Sequence, residues 1–317
     1  MALLAVDAAT QAAAQAPPQQ LPELLLREDL HDLKDASRMD DAARQSILLG
    51  ARQQQPEALY LLAMMRLYGR GADADPRAAV GLLRRAAQHA HRDAEFALGV
   101  LHAAGGAGLA RNERASATWL AKSANRGHAD AKWMLAVQLV DGRGVDENVP
   151  RARELLEEAA AVGNAHAQFH LGVLSEYGRG GAQDAARAAD LYELASAARH
   201  ADATYFLGLL VAQGRGRRQS FATARELFQR AADGSEHAPA MFALGQMHAR
   251  GEGTPVDYAL ALAWMQRAAQ RRDPRVSDEA DRAARELRGF LQRVEARVRA
   301  QEEALGAPIR ASVAAIE

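Results

Sequence analysis

The chain is 317 residues long, the length of two ordinary domains or of one extended repeat array. Its 39 basic and 40 acidic side chains leave a net charge of −1, which argues against a globally basic nucleic-acid binder and against an acidic tail protein. With no cysteine there is no disulfide framework, no thiolate zinc site and no thiol nucleophile. Hydrophobic residues make up 49% of the chain and aromatics 5%, while about a quarter is alanine, the strongest helix former.

Met1 to Thr10 has no basic residue and Asp7 interrupts its apolar run, so it does not read as a secretory signal. No stretch reaches the ~18 apolar residues of a membrane-spanning helix. The expected compartment is the cytoplasm. Residues 8–20 are rich in Ala, Gln and Pro, and Pro17-Pro18 blocks a helix, so residues 1–20 read as a disordered tail. Residues 21–55 read as a degenerate capping repeat. In it LPELLLREDLHDL is one amphipathic helix and Asp40 to Gln53 a second.

From Ala58 a block recurs: an alanine, a leucine four residues on, a small residue, then a Gly-x-Gly. Its leading alanines are Ala58, Ala94, Ala131, Ala167, Ala203 and Ala240, at spacings of 36, 37, 36, 36 and 37. Taking that alanine as position 0, the leucines at +4 are Leu62, Leu98, Leu135, Leu171, Leu207 and Leu244. Position +5 is Ala63, Gly99, Ala136, Gly172, Gly208 or Gly245. The second copy departs at its turn, reading Gly105-Gly106-Ala107-Gly108. In the second half of each copy Leu82, Trp119, Leu155, Leu191, Leu227 and Trp264 are followed, four residues later, by a small pair such as Ala86-Ala87.

Each copy therefore predicts two antiparallel helices. The first runs about eleven residues from the leading alanine and stops at the Gly-x-Gly, since glycine accepts the left-handed conformation of a helix end. Asp93, Asp130 and Asp202, just before the leading alanine, are expected to be its N-caps. The second helix is expected to start at signals such as Asp75-Pro76, Ser220 and Thr254-Pro255. A helix pair cannot bury its own apolar face, so the copies must stack as a solenoid over residues 56–275. Val276 to Leu305 predicts one long helix within residues 276–306, with 307–317 as a tail. Ala284, Leu291, Val298 and Leu305 with Ala280, Leu287 and Val294 give it a near-heptad stripe. That stripe could cap the last repeat, which we favour, or pair with a second copy.

The block resembles the Sel1-like repeat, a relative of the tetratricopeptide repeat. The A-x-x-x-L-G opening, the Gly-x-Gly turn and closings such as Ala124-Asn125-Arg126-Gly127-His128-Ala129 carry that resemblance over residues 58–272. The tyrosine usual at +8 is replaced by Arg66, His102, Leu139, Ser175, Val211 and His248. The resemblance implies an all-α, right-handed superhelical solenoid whose first helices line a concave groove. It also implies a scaffold or adaptor that gathers protein partners.

His91, His128, His200 and His237 share one repeat position, with Asn164 in between. Successive copies stack ~10 Å apart, too far for shared zinc ligands, so these side chains read as turn closures. His166 and His170 share a helix face but lack a third ligand. The Gly-x-Gly turns follow helices rather than strands and so are not phosphate cradles. Their arginines, Arg70, Arg143, Arg179 and Arg215, form at most a basic edge. The aromatics at +2 (Tyr60, Phe96, Trp133, Phe169, Tyr205, Phe242) read as core rather than as a base-stacking platform.

Positions +3 and +10 lie at about 300° and 280° on a helical wheel, away from the 0/+4 stripe. They vary in chemistry, as an interface would and as drift on an unselected surface would. Their interface-type residues are Tyr68, Met134, Asp141, His170, Tyr177, Phe206, Gln213 and Arg250, the expected partner-binding groove. No catalytic residue, cofactor or metal ligand is expected. The expected partner is a protein or peptide, with no nucleic acid and no membrane insertion, and the chain is a monomer or a dimer through its C-terminal helix. Two other readings stand beside this one: a protein that binds or processes a small ligand or cell-wall fragment, and a self-associating structural protein.

Overall fold

The computed structural model describes residues 41–305. The expected tails at 1–20 and 307–317, and the first helix of the expected leading copy, lie outside the described residues. Fourteen α-helices occur among the described residues. The chain divides into two compact units, one reaching to Leu194 and one starting at Ala195.

The first unit holds α1 (Asp41–Arg52), α2 (Pro56–Tyr68), α3 (Pro76–Gln88), α4 (Arg92–Ala104), α5 (Glu113–Asn125), α6 (Ala129–Asp141), α7 (Val149–Ala161) and α8 (Ala165–Tyr177). It ends within α9 (Ala185–Ala197). From α1 to α8 each helix packs on the next, and the first helices α6 and α8 also touch. The second unit holds α10 (Ala201–Gln213), α11 (Phe221–Ser235), α12 (Ala238–Arg250), α13 (Tyr258–Gln270) and α14 (Ser277–Leu305), again packed in succession. The fold is thus an all-α stack of antiparallel helix pairs.

The first helices are 13 residues long and begin two residues before the leading alanine. Their N-caps are not the predicted aspartates. The ring Nδ1 of His91 accepts the Ala94 N–H at 3.2 Å, and His128, His200 and His237 cap Ala131, Ala203 and Ala240 in the same way. Asn164 Oδ1 caps Ala167 at 2.8 Å. Asp93, Asp130 and Asp202 fall inside the first turn, where their charge suits the positive end of the helix dipole. This misplacement arose because aspartate caps well in isolation, whereas the residue two positions earlier has the extended backbone of a cap.

The turn between paired helices is built the same way in every copy but the second, where Gly105 has φ 71° and ψ 127° and Gly106 bridges to Leu109. Gly69, Gly142, Gly178, Gly214 and Gly251 close the first helix in the left-handed conformation, with φ between 64° and 72°. The following residue then donates its N–H back five positions, as Arg70 does to the Met65 carbonyl. The second helix is capped by Asp75, Asn112, Asn148, Ser220 or Asp257. Asp184 accepts the Arg187 N–H at 2.9 Å in the same role. The main-chain N–H of each of these caps donates to the +8 carbonyl of the first helix, at 2.8 to 3.1 Å. Thr254-Pro255, an expected helix start, lies in the turn instead, because Asp257 captures the Leu260 N–H. The second glycine answers a close approach: a Cβ on Gly144 would stand 2.3 Å from the Glu113 carbonyl at the start of α5.

Packing between paired helices depends on size matching. A Cβ on Gly208 would meet the Phe228 ring at 2.6 Å, one on Gly172 the Tyr192 ring at 2.6 Å, and one on Gly99 the Leu120 side chain at 2.8 Å. The buried knob of the second helix is therefore the column Leu83, Leu120, Leu156, Tyr192, Phe228 and Met265. The preceding column, which stands out in the sequence, holds the half-buried Trp119, Leu191 and Trp264. Buried alanines such as Ala94, Ala131, Ala167 and Ala203 let the backbones close in, which accounts for the alanine-rich composition.

In the second unit α14 packs on α13. Ala280 and Ala284 are buried, and the rings of Tyr258 and Phe290 meet edge to face at 5.6 Å. Val294 is 41% exposed.

Two stability measurements test these contacts. His128→Ala should lose about 1 kcal/mol of unfolding free energy through its cap, whereas His128→Asn, which copies Asn164, should lose only a few tenths. Gly208→Ala should cost about 1–3 kcal/mol by overpacking against Phe228, and less in a Phe228→Leu background. Denaturant titrations of the four proteins of that cycle read the coupling directly.

Candidate interaction surface

Two columns that look separate in the sequence form one joint. The capping ring packs against the +2 aromatic of the copy before: Tyr60–His91 and Phe96–His128 stack, and Tyr205–His237 lies tilted at 45°. Tyr60 and His91 are 5.0 Å apart between centroids, Phe96 and His128 4.3 Å, and in the second unit Tyr205 and His237 5.2 Å. Where Asn164 is the cap, Trp133 stacks on His166 instead, at 4.3 Å. The far ring nitrogen points to a first-turn acid of the preceding copy. His91 Nε2 lies 2.8 Å from Glu57 and His237 Nε2 3.0 Å from Asp202. Asn164 Nδ2 donates to Asp130 at 2.6 Å. His128 Nε2 is 3.3 Å from Asp93 without an aligned hydrogen bond. Because Nδ1 accepts the backbone N–H, a neutral ring carries its proton on Nε2 and donates it to the carboxylate. These side chains are committed to holding neighbouring copies together. Among the described residues no three His, Asp or Glu side chains gather where they could hold a metal ion.

The +3 and +10 row does not present all of its members outward. His170 and Phe206 are 6% exposed, His170 beside the Phe169 ring and Phe206 edge-on to Tyr205. A partner would not reach those two without displacing neighbours. Tyr68, Met134 and Tyr177 are half-buried, while Asp141, Gln213 and Arg250 are exposed. The +10 residues have a local partner that the sequence reading missed, the residue inside the Gly-x-Gly. Arg143 pairs with Asp141 at 2.8 Å, Arg215 donates to Gln213 at 3.4 Å and Glu252 stands 3.9 Å from Arg250. The Arg70 guanidinium lies 5.9 Å from the centre of the Tyr68 ring. Burial pushes the Tyr68 hydroxyl above its usual range, and the Arg70 charge opposes that shift. The left-handed glycine turns the chain back so that +12 comes beside +10. Two residues apart with an intervening glycine would have been the signal. Arg179 differs, donating to the Val140 carbonyl at 3.3 Å.

One cluster in the second unit carries strong electrostatics. Asp202 receives His237 and, at 2.5 Å, Arg275 from the turn before α14, and Arg275 also pairs with Asp273 at 2.7 Å. Burial alone would raise the Asp202 carboxyl. The hydrogen bond from His237 and the nearby positive groups outweigh it and hold the carboxyl well below the usual carboxylate range. A carboxylate with a depressed folded-state pKa adds stability above its unfolded value and loses it on acidification. Wild-type stability should therefore fall as the pH drops below about 4. Asp202→Asn should be less stable by about 1–3 kcal/mol at neutral pH and show a flatter acid limb. Unfolding midpoints measured across that range check both.

Repeat models of the family described as the Sel1 repeat match residues 56–91, 92–128, 129–164, 165–200, 201–235 and 238–273, more than half of the chain. The solved structure of a Sel1 repeat protein from Oxalobacter formigenes is 27% identical, with a TM-score of 0.65 over 77% of this chain and 69% of that one. A protective antigen of uropathogenic Escherichia coli with an SLR fold is 22% identical, with a TM-score of 0.44 over 72% of this chain and 64% of that one. An F-box protein of Arabidopsis thaliana is 32% identical over 122 residues, 38% of this chain. The chain spans about a third (35%) of the length of that curated relative. With six matched copies, each folded as a helix pair, the chain belongs to the Sel1 repeat family.

Proposed function

We propose that the chain is a non-enzymatic scaffold that holds a protein or peptide partner on the face of its first helices. Sel1 repeat proteins are generally protein-interaction scaffolds. The observation that carries the reading to this chain is the contrast between columns. Caps, glycines and knobs repeat in step, whereas position +10 changes from Tyr68 to Asp141, Tyr177, Gln213 and Arg250. Those side chains sit at the ends of helices, and Tyr68, Asp141, Gln213 and Arg250 are pre-positioned by their +12 neighbours, which lowers the ordering cost of binding. The aromatic and arginine members are the expected anchors, and the polar ones set specificity.

The test is affinity capture followed by quantitative binding. The full chain is compared with Tyr68→Ala/Tyr177→Ala in the first unit and with Arg250→Ala in the second, each checked for an unchanged melting temperature. A captured partner should bind the double variant at least tenfold more weakly, the equivalent of about 1.4 kcal/mol. A partner that binds all three proteins equally would remove this face as the binding site.

A further inference from the structure

The first unit holds a cavity at the start of its helix stack. It lies between α1, α2 and α3 and has a volume of about 520 Å³, within the range of small-molecule sites. Its apolar wall includes Leu48, Leu62 and Leu82, and three arginines line it: Arg52, Arg66 and Arg85. The cavity has a sequence cause. Gly81 lies in the middle of α3, and a Cβ built there would meet nothing within 4 Å. The residues at the same place in later copies are Thr118, Glu154, Asp190, Glu226 and Ala263. Three of these five carry a carboxylate. At Gly81 there is no side chain, and Arg66 stands where the other copies carry His102, Leu139, Ser175, Val211 or His248.

Those arginines are poorly matched among the described residues. No carboxylate lines the cavity. Among the described residues Arg66 has only Asp75, at 3.9 Å, and its Nε is buried with no hydrogen-bond partner. Arg85 donates to the neutral Gln54 at 3.2 Å. Arg52 has no ion-pair partner among the described residues. Guanidinium forks beside an apolar wall suit one ligand shape, a carboxylate head on an apolar body. We propose that this cavity binds a small carboxylate with an alkyl or aryl body. Its head takes the place of the side chain missing at Gly81, within reach of Arg66 and Arg85, and its body lies along Leu48, Leu62 and Leu82. The site is separate from the first-helix row, so its test does not depend on the scaffold reading.

Calorimetric titration of the full-length protein with octanoate tests it, with 1-octanol and octylamine as the same body without the negative head. Saturable 1:1 binding of octanoate is expected, with 1-octanol at least tenfold weaker and octylamine silent. Gly81→Glu is the decisive variant. It supplies the carboxylate from within and replaces a mid-helix glycine by a better helix former, so it should melt at or above the wild-type temperature. It should also bind octanoate at least tenfold more weakly, as should Arg66→Ala/Arg85→Ala. The proposal is overturned by equal affinity for octanoate and 1-octanol. It is equally overturned by unchanged binding in the folded Gly81→Glu protein, or by no saturable binding up to about 10 mM.

Discussion

The rings of His91, His128 and His237 each cap a first helix and also join that copy to the one before. In His91 or His237 one nitrogen accepts a backbone N–H at the start of its own helix, the other donates to an acid of the preceding copy, and the ring packs against that copy's aromatic. Helix initiation and inter-copy packing thus share a single side chain. A solenoid has no central core, so its stability is a sum of copies and of interfaces between neighbours. A side chain that serves both terms fixes the register of the stack as well as its strength. Asn164 shows what is essential: an acceptor for the cap and a donor for the acid, with the stacking surface then supplied by His166 on Trp133.

The same economy governs the interior. Small residues at +5 accept the knob of the second helix, and the largest knobs, Tyr192 and Phe228, face glycines. Where the turn glycines approach the next backbone, as Gly144 does at Glu113, there is no space for a side chain. These steric constraints account for the strictness of the repeat. At +3 Ala97, His170 and Phe206 are buried, but more latitude is left at +10 and at the outer positions of the second helices. Any chemistry particular to this chain has to reside there, since Sel1 copies otherwise share one backbone. Gly81 belongs to that group: unlike the turn glycines it answers no close contact, and it opens a space among arginines.

Much of the fold was legible because the repeat samples one structural problem six times. The period, the helix pairs, the glycine turns and the small +5 positions recur, and recurrence separates the necessary from the incidental. The expected caps were misplaced because Asp93, Asp130 and Asp202 are good caps in an isolated helix. Here they instead receive the neighbouring copy's ring or amide. The knob column itself was not singled out in the sequence, where the half-buried Trp119 and Trp264 one residue earlier are more conspicuous. Of the expected binding row, His170 and Phe206 are buried, which a helical wheel does not report because it places a residue on a helix but not against its neighbours.

The sequence by itself determined the class of fold, the number of copies, the helix pairing and the absence of thiol chemistry. These follow from periodicity, glycine stereochemistry and composition, all of which are local. Only the tertiary structure decided which polar side chains were already engaged. The pairing of +10 with +12, the burial of His170 and Phe206, the Asp202–Arg275 contact and the arginine-lined cavity beside Gly81 each depend on chain segments meeting in space. Burial and charge pairing are properties of a neighbourhood, and a neighbourhood exists only once the copies are stacked.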